Sequence, residues 1–562
     1  MDYASLGLHP YGAIPTERQM AHIKMEKKAF IHFGVNTFTG NEWGLGDETE
    51  TLFNPTELDA TQWARVIKNA GCKLAIITAK HHDGFCLWPS KYTKHSVKNS
   101  PYKNGNGDVV GEFVAACRAE GIKVGIYISP WDRSVKEWGT AEYSNFFANQ
   151  LTELLTDYGR IDEVWWDGAG SNETEYDWAL WTGLVRALQP TAATFGSGGS
   201  LDTVDLRWVG NEKGVAGTTH FASLECTTIT NYPAAKLNTG TQGGNAYIYS
   251  ESDVSIRPGW FYHESQDGFV KTPSVLDRIW FTSVGRNSNL LLNFPPDKRG
   301  LIHERDAQYA KISNDNISRM RSVDYARGAM VTADTELGPT TSAKNLVDGD
   351  SETFYASMLN KRSAVINITL AEPKKINVMI LGEVLPLGER INSFKLESVT
   401  DIGSELIARG TSVGYLRAVT FKESEYKSLR LTLEGADSIV LSYLSLHRYE
   451  APKIGDLPLP YGENIILKNA HGKIFSNGDK EVILAFGGIF DFNTVEASVK
   501  APCEYELYLF DGTSFQFALK GVSDGEKIKI RLENIESGSY QIKLKATEPF
   551  VTDDNFRVSL EK

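Results

Sequence analysis

The sequence predicts a multidomain chain: a (β/α)8 TIM-like barrel over residues 1–323, followed by two all-β sandwich domains. Three observations carry this expectation. The 562 residues exceed what one hydrophobic core organises, since domains run to about 150 residues. Up to residue 297, short β-branched apolar runs alternate with amphipathic helical stretches. Beyond residue 324 the helical period disappears and period-two runs replace it.

Eight runs read as strands: residues 29–35, 73–80, 123–129, 161–168, 192–198, 205–212, 245–251 and 290–296. Helical stretches at 59–71, 108–121, 141–159 and 272–287 separate several of them. Two of these helices end at Gly71 and Gly121, just before the next strand, as helix C-caps do. Parallel strands need crossover helices, and eight such strands close more readily into a barrel than into an open sheet. An open doubly wound sheet is the alternative, but no GxGxxG follows the first strand. A last helix is expected at 304–322. Residues 324–450 then alternate as a sandwich does, 451–464 carry three prolines and read as a linker, and 465–562 form a second sandwich.

Composition narrows the function classes. Hydrophobic residues at 41% and charged residues at 23% fit a folded chain with cores to bury. A net charge of −13 argues against a nucleic-acid binder that tracks phosphates. The five cysteines are scattered with no CxxC, so neither a disulfide framework nor a metal cluster is expected. No run approaches 18 apolar residues, and the N-terminus has no basic segment leading into an apolar one. The chain is therefore expected to be cytoplasmic, or secreted or periplasmic if a signal peptide has been removed. The sequence does not address oligomeric state.

All 12 tryptophans lie at or before Trp280, and 9 of the 11 histidines at or before His303, which places the chemistry in the first 300 residues. In a parallel barrel, reactive groups gather where strands end and loops begin. Four strand ends are loaded with them: His32 with Glu42 and Trp43; His81, His82 and Asp83; Trp165 and Asp167; Arg207 and Glu212. Strand alternation puts Trp165 and Asp167 on one face. A carboxylate beside an indole at a strand end suits attack on a carbon with oxocarbenium character, although an Asp before Gly168 can also be a simple cap. Adjacent histidines on an extended segment point in opposite directions, which disfavours a shared metal. Neutral imidazoles offer the donor and acceptor that sugar hydroxyls need, and loop structure is the other reading.

The motifs HFGVNTFTGNEW, AKHHDGFCLWPS, GIYISPWD and VWWDG, in this order and at these spacings, resemble the α-L-fucosidases of glycoside hydrolase family 29 over roughly residues 8–320. The resemblance implies a fucosylated oligosaccharide or glycoconjugate as substrate and no cofactor. It implies Asp167 as the nucleophile of a retaining double displacement. It also implies a fucose-binding set of His32, Glu42, Trp43, His81, His82, Tyr127 and Trp165. Glu212 matches the acid/base of the branch restricted to α1,3- and α1,4-linked fucose, with Glu251 and Glu264 as alternatives. Arg207 matches an Arg that contacts the sugar, or pairs with Glu212. Trp260 and the loop material of 214–245 are expected to build the aglycone side, Trp260 by stacking on a galactose. Residues 325–449 resemble a discoidin-type module, but Phe354 and Tyr355 stand where such modules often carry Trp. Both β-modules are accordingly expected to brace the barrel. A broad-specificity fucosidase and a catalytically inactive fucose-binding protein are the competing readings.

Overall fold

The computed structural model describes residues 2–196, 201, 203–225, 234–452, 462–468, 473–486, 488–510, 514–536, 539, 541–551 and 556–561. Eight parallel strands close into a barrel: β1 (Lys27–Ile31), β2 (Leu74–Lys80), β3 (Lys123–Ile128), β4 (Glu163–Trp166), β5 (Ala193–Gly196), β6 (Leu206–Trp208), β7 (Tyr249–Ser255) and β8 (Asn289–Asn293). Each pairs with its sequence neighbours, and β1 with β8 completes the ring. Helices Ala60–Asn69, Val109–Ala119, Ala141–Asp157, Trp178–Leu188, Ala234–Thr239 and Pro273–Thr282 lie on the crossovers, and Glu304–Ser322 follows the last strand. Gly71 and Gly121 adopt φ of 78° and 75°, so both expected C-caps use the left-handed region that favours glycine.

Two expectations needed correction. The seventh strand runs over Tyr249–Ser255 rather than 245–251, because Ala246–Tyr247 pairs with Ser223–Leu224 in a small hairpin outside the barrel. The Trp-rich helix Trp178–Leu188 was not anticipated. The end of the expected fifth strand, at 197–198, and most of the expected linker at 451–464 lie outside the described residues.

The strand period sorts the barrel interior into layers. Along β1, Ala29 and Ile31 face the helices, whereas Lys28, Phe30 and His32 face inward; along β4, Val164 and Trp166 face outward, and Glu163, Trp165 and Asp167 inward. At the start of the strands Lys28 bridges Glu163 at 2.6 Å and Glu251, all three fully buried. Above that ionic floor, Phe30, Tyr127, Trp165, Phe195 and Leu291 form an apolar middle layer. His32 and Asp167, two residues further on, emerge at the mouth.

Residues 330–447 form an antiparallel sheet whose long strands are Ser363–Glu383 and Arg417–Gly435. It grips the barrel from the side of the β6–β7 loop: Glu389 accepts the Ala222 N–H at 2.7 Å, and Ser412 Oγ accepts the His220 N–H at 2.8 Å. Residues 473–559 form a five-stranded and a three-stranded antiparallel sheet around one core. This module meets the barrel where β7 leads into helix Pro273–Thr282: Thr272 donates to Asp491, and Lys271 Nζ lies over Phe490, 5.2 Å from the ring centroid. Among the described residues, no helix is long and apolar enough to cross a membrane.

Candidate active site

Asp167 follows the last residue of β4, its side chain 25% exposed. The Ala169 N–H donates to Oδ1 at 2.8 Å, and the Tyr127 hydroxyl donates to Oδ2 at 2.8 Å. Burial, together with the Asp167 charge, pushes the Tyr127 phenol well above its usual range, so it stays a donor. Two donors hold the carboxylate in one orientation. Trp165 stacks on Phe195 (4.1 Å, 7°) and on Tyr127 (5.4 Å, 25°), which fixes the support beneath Asp167.

The histidines present acceptors. Asn293 Nδ2 donates to Ser255 Oγ (2.9 Å) and to the Trp260 carbonyl (2.8 Å), which settles the orientation of its amide. Asn293 Oδ1 is then an acceptor for His32 Nδ1–H at 2.9 Å, leaving Nε2 of His32 as a lone pair toward the mouth. Ser129 Oγ donates to the Trp131 carbonyl at 2.7 Å and so accepts from His82 Nδ1 at 2.7 Å, which again leaves Nε2 as an acceptor. That nitrogen faces Asp167 Oδ2 at 3.7 Å. Two acceptors so placed converge on a position suited to a hydroxyl donor. Burial lowers the titration of all three rings, His32 to about 4, His81 well below its usual value and His82 in the same direction, so all are neutral at pH 7.

His81 and His82 do not diverge as an extended chain would require. Strand β2 ends at Lys80 and the chain turns, bringing both rings to the mouth with centroids 4.1 Å apart. His81 Nδ1 is buried without a hydrogen-bond partner among the described residues, and its ring lies parallel to Tyr127. Glu42 is held by the Trp260 N–H at 2.8 Å and lies 2.6 Å from His263 Nε2. Trp43, 56% exposed, meets His82 and Trp131 edge-on at the rim. Trp260 packs against His32 with centroids 5.0 Å apart and donates its indole N–H to Glu212 Oε2 at 3.3 Å. His32, Glu42, Trp43, His81, His82, Asp167, Glu212 and Trp260 therefore gather at one mouth of the barrel, with Tyr127 and Trp165 directly beneath.

The family model described as alpha-L-fucosidase matches residues 10–312, a span that includes all eight barrel strands. The chain belongs to the α-L-fucosidase family of glycoside hydrolases. It is 39% identical to Alpha-L-fucosidase 1 of Arabidopsis thaliana over 78% of this chain and 88% of that one. A glycoside hydrolase 29 family member from an unknown rumen bacterium superposes with a TM-score of 0.73 at 31% identity, covering 98% of this chain and 100% of that one. A Ruminococcus gnavus GH29 fucosidase solved in complex with fucose is similar at 29% identity and a TM-score of 0.73, covering 79% of this chain and 96% of its own.

Within this fucosidase, three candidates fall elsewhere. Leu206 faces the barrel interior, so its neighbour Arg207 points outward. The Arg207 guanidinium is fully buried and donates to the carbonyls of Leu237 (3.1 Å), Ala222 (2.6 Å), Phe221 (2.8 Å) and Ile248. It ties down the β6–β7 loop and is not a sugar contact. Glu251 lies in the ionic floor with Lys28, two inward positions below the mouth, which argues against acid/base work. Glu264 opens a 3-10 turn and lines a separate surface pocket with Thr37 and Arg299.

Four further residues stand beside the candidate site. Asn293 and Ser129 set the imidazole tautomers, and His263 supports Glu42. Asp253, inward on β7, is buried, accepts the Trp208 indole N–H at 3.0 Å, and is raised well above its usual range by burial and by the Glu212 charge. Asn293 carried a signal, being the one polar residue ending the apolar run LLLN at an inward position.

Proposed function

We propose that this fucosidase is a retaining exo-α-L-fucosidase that releases fucose from α1,3- and α1,4-fucosylated, Lewis-type glycans by double displacement. The observation that carries the reading is the Asp167 carboxylate, oriented by Tyr127 and Ala169 and flanked by neutral histidine acceptors. In this reading the fucose hydroxyls donate to Nε2 of His32 and His82, and Asp167 attacks the anomeric carbon. Glu212 protonates the leaving glycosidic oxygen. Glu212 then activates the water that hydrolyses the fucosyl-enzyme, so one residue serves in turn as acid and base.

The proton for the first step fits the neighbourhood of Glu212. Burial of Asp253, with the repulsion between its charge and that of Glu212, lets the pair hold a proton at a pH where an isolated carboxyl would have lost it. The C6 methyl of fucose calls for an apolar contact, which Phe30 and Trp260 beside His32 can supply.

Proton NMR of an aryl α-L-fucoside digest tests the mechanism. α-Fucose should appear first and mutarotate afterwards; β-fucose as the first product would mean inversion. Asp167→Asn should lose about 10³-fold or more in kcat with its fold intact. Comparing Lewis a and Lewis x trisaccharides with 2'-fucosyllactose tests linkage: comparable kcat/KM on all three would place the enzyme among broad-specificity fucosidases.

A further inference from the structure

From Glu212 and Trp260 a cleft of about 430 Å³ leads away from the barrel axis, and its far wall belongs to the C-terminal module, through Lys473, Phe475 and Gln541. We infer that this cleft is the seat of the aglycone's non-fucose sugar, and that Phe475 and Gln541 of the C-terminal module are specificity-determining residues of the fucosidase. The inference rests on Glu212 acting as the acid/base proposed above.

Trp260 supplies the direction. One side of its indole lies against His32 in the fucose pocket, while its N–H reaches Glu212 at the mouth of the cleft. A group leaving a fucose seated against His32, by way of the oxygen that Glu212 protonates, departs past Trp260 into the cleft.

The walls suit a sugar. Phe475 is 51% exposed on the short strand Lys473–Ser476, and it turns an open aromatic face into the cleft. Lys271, only 4% exposed, also lines the cleft. Its amine has one hydrogen-bond partner among the described residues, the Arg257 carbonyl at 3.3 Å, which leaves N–H donors free for a ligand oxygen. Burial brings this amine down to about 7, so it enters the cleft with part of its charge removed and suits a neutral hydroxyl. Gln541 adds an amide on the same wall. An open aromatic face, buried donors with spare capacity and an amide form the mixed surface that a hexose or N-acetylhexosamine requires.

This assignment gives the C-terminal module a part in selectivity as well as in bracing the barrel. Phe475→Ala, made in the full chain, should lower the ratio of kcat/KM for a Lewis trisaccharide to that for an aryl α-L-fucoside about tenfold, the loss expected for one aromatic contact. Phe475→Tyr should keep the ratio. The defucosylated galactosyl-N-acetylglucosamine product should inhibit the wild type competitively and Phe475→Ala more weakly. An unchanged ratio in Phe475→Ala, in an enzyme that does prefer Lewis trisaccharides, overturns the cleft assignment alone. Equal wild-type rates on every linkage overturn the linkage reading, while a reduced ratio in Phe475→Ala would still support the cleft. A wild type that releases fucose from none of these substrates overturns both.

Discussion

Trp260 donates its indole N–H to Glu212 Oε2 across 3.3 Å. The same residue's backbone N–H is held by Glu42, so the loop after β7 is fastened to the loop after β1 at the point where the proposed acid/base stands. Trp260→Phe keeps an aromatic ring beside His32 and removes the donor. With Glu212 less well oriented, kcat on a Lewis trisaccharide should fall about tenfold, as for the loss of one orienting hydrogen bond. An aryl fucoside, whose leaving group needs less protonation, should suffer less. Equal losses on both substrates would mean that the indole acts on fucose binding instead.

Asp253 and Glu212 are proposed to share a proton, and the alkaline side of the pH profile reports it. Both carboxyls are present in the wild type, and the repulsion between them delays loss of the last proton to higher pH. Asp253→Asn removes that repulsion, so Glu212 should lose its proton earlier. The alkaline limb of kcat/KM should move down by about one pH unit or more. An unmoved limb would show that Asp253 only props Trp208.

His32 gives a pH dependence of binding with a definite sign. Burial lowers its titration from the usual 6.5 to about 4, so the ring stays neutral, with Nε2 a lone pair, until the pH falls through that value. A bound hydroxyl donating to Nε2 favours the neutral ring further. Fucose affinity should therefore be flat from pH 8 to about 5 and weaken near 4 and below. Calorimetric titration of Asp167→Asn with L-fucose measures this with the Asp167 carboxylate removed from the titration. Affinity that falls through pH 6.5 would mean that an ordinary, solvated histidine governs binding.

Much of the barrel was legible because apolar alternation and glycine caps report backbone geometry directly. Gly71 and Gly121 mark the starts of β2 and β3, and the run VWWDG places Trp165 and Asp167 on the inward face. Strand β7 was displaced because its inward positions are Tyr249, Glu251, Asp253 and Ser255, and a polar interior defeats a pattern that looks for apolar residues. Arg207 was misjudged for a related reason: a charge on a barrel strand suggests the mouth, yet parity with Leu206 turns it outward to loop carbonyls. The expected strand 73–80 ends at Lys80 as observed, and what went unread is the turn directly after it, which brings the His81 and His82 rings together where an extended chain would separate them. The cleft beside Glu212 joins residues more than 200 positions apart, so no local pattern could have shown it.

The distinction between Glu212 and Glu251 can be decided by rescue. Glu251 is buried beside Lys28 and Glu163 in the barrel floor, and burial, with the neighbouring Glu163 charge, raises it to about 7. One proton shared among these carboxyls lets a single lysine neutralise the floor. Glu251→Ala leaves a cavity and removes one of the two carboxyls that accept from Lys28, Glu163 keeping the charge paired, which should cost about 2 kcal/mol or more of stability and lower Tm. Because Glu251 lies below the aromatic layer, azide should not restore any lost turnover. Glu212→Ala touches no buried charge pair of the floor, so Tm should hold. Its hydrolysis of trisaccharides should collapse, while aryl fucosides should still form the fucosyl-enzyme, and azide should accelerate its breakdown by taking the place of the base-assisted water. Recovery of a fucosyl azide with retained configuration from Glu251→Ala, and none from Glu212→Ala, would transfer the acid/base role to the floor and require the β7 loop to open during turnover.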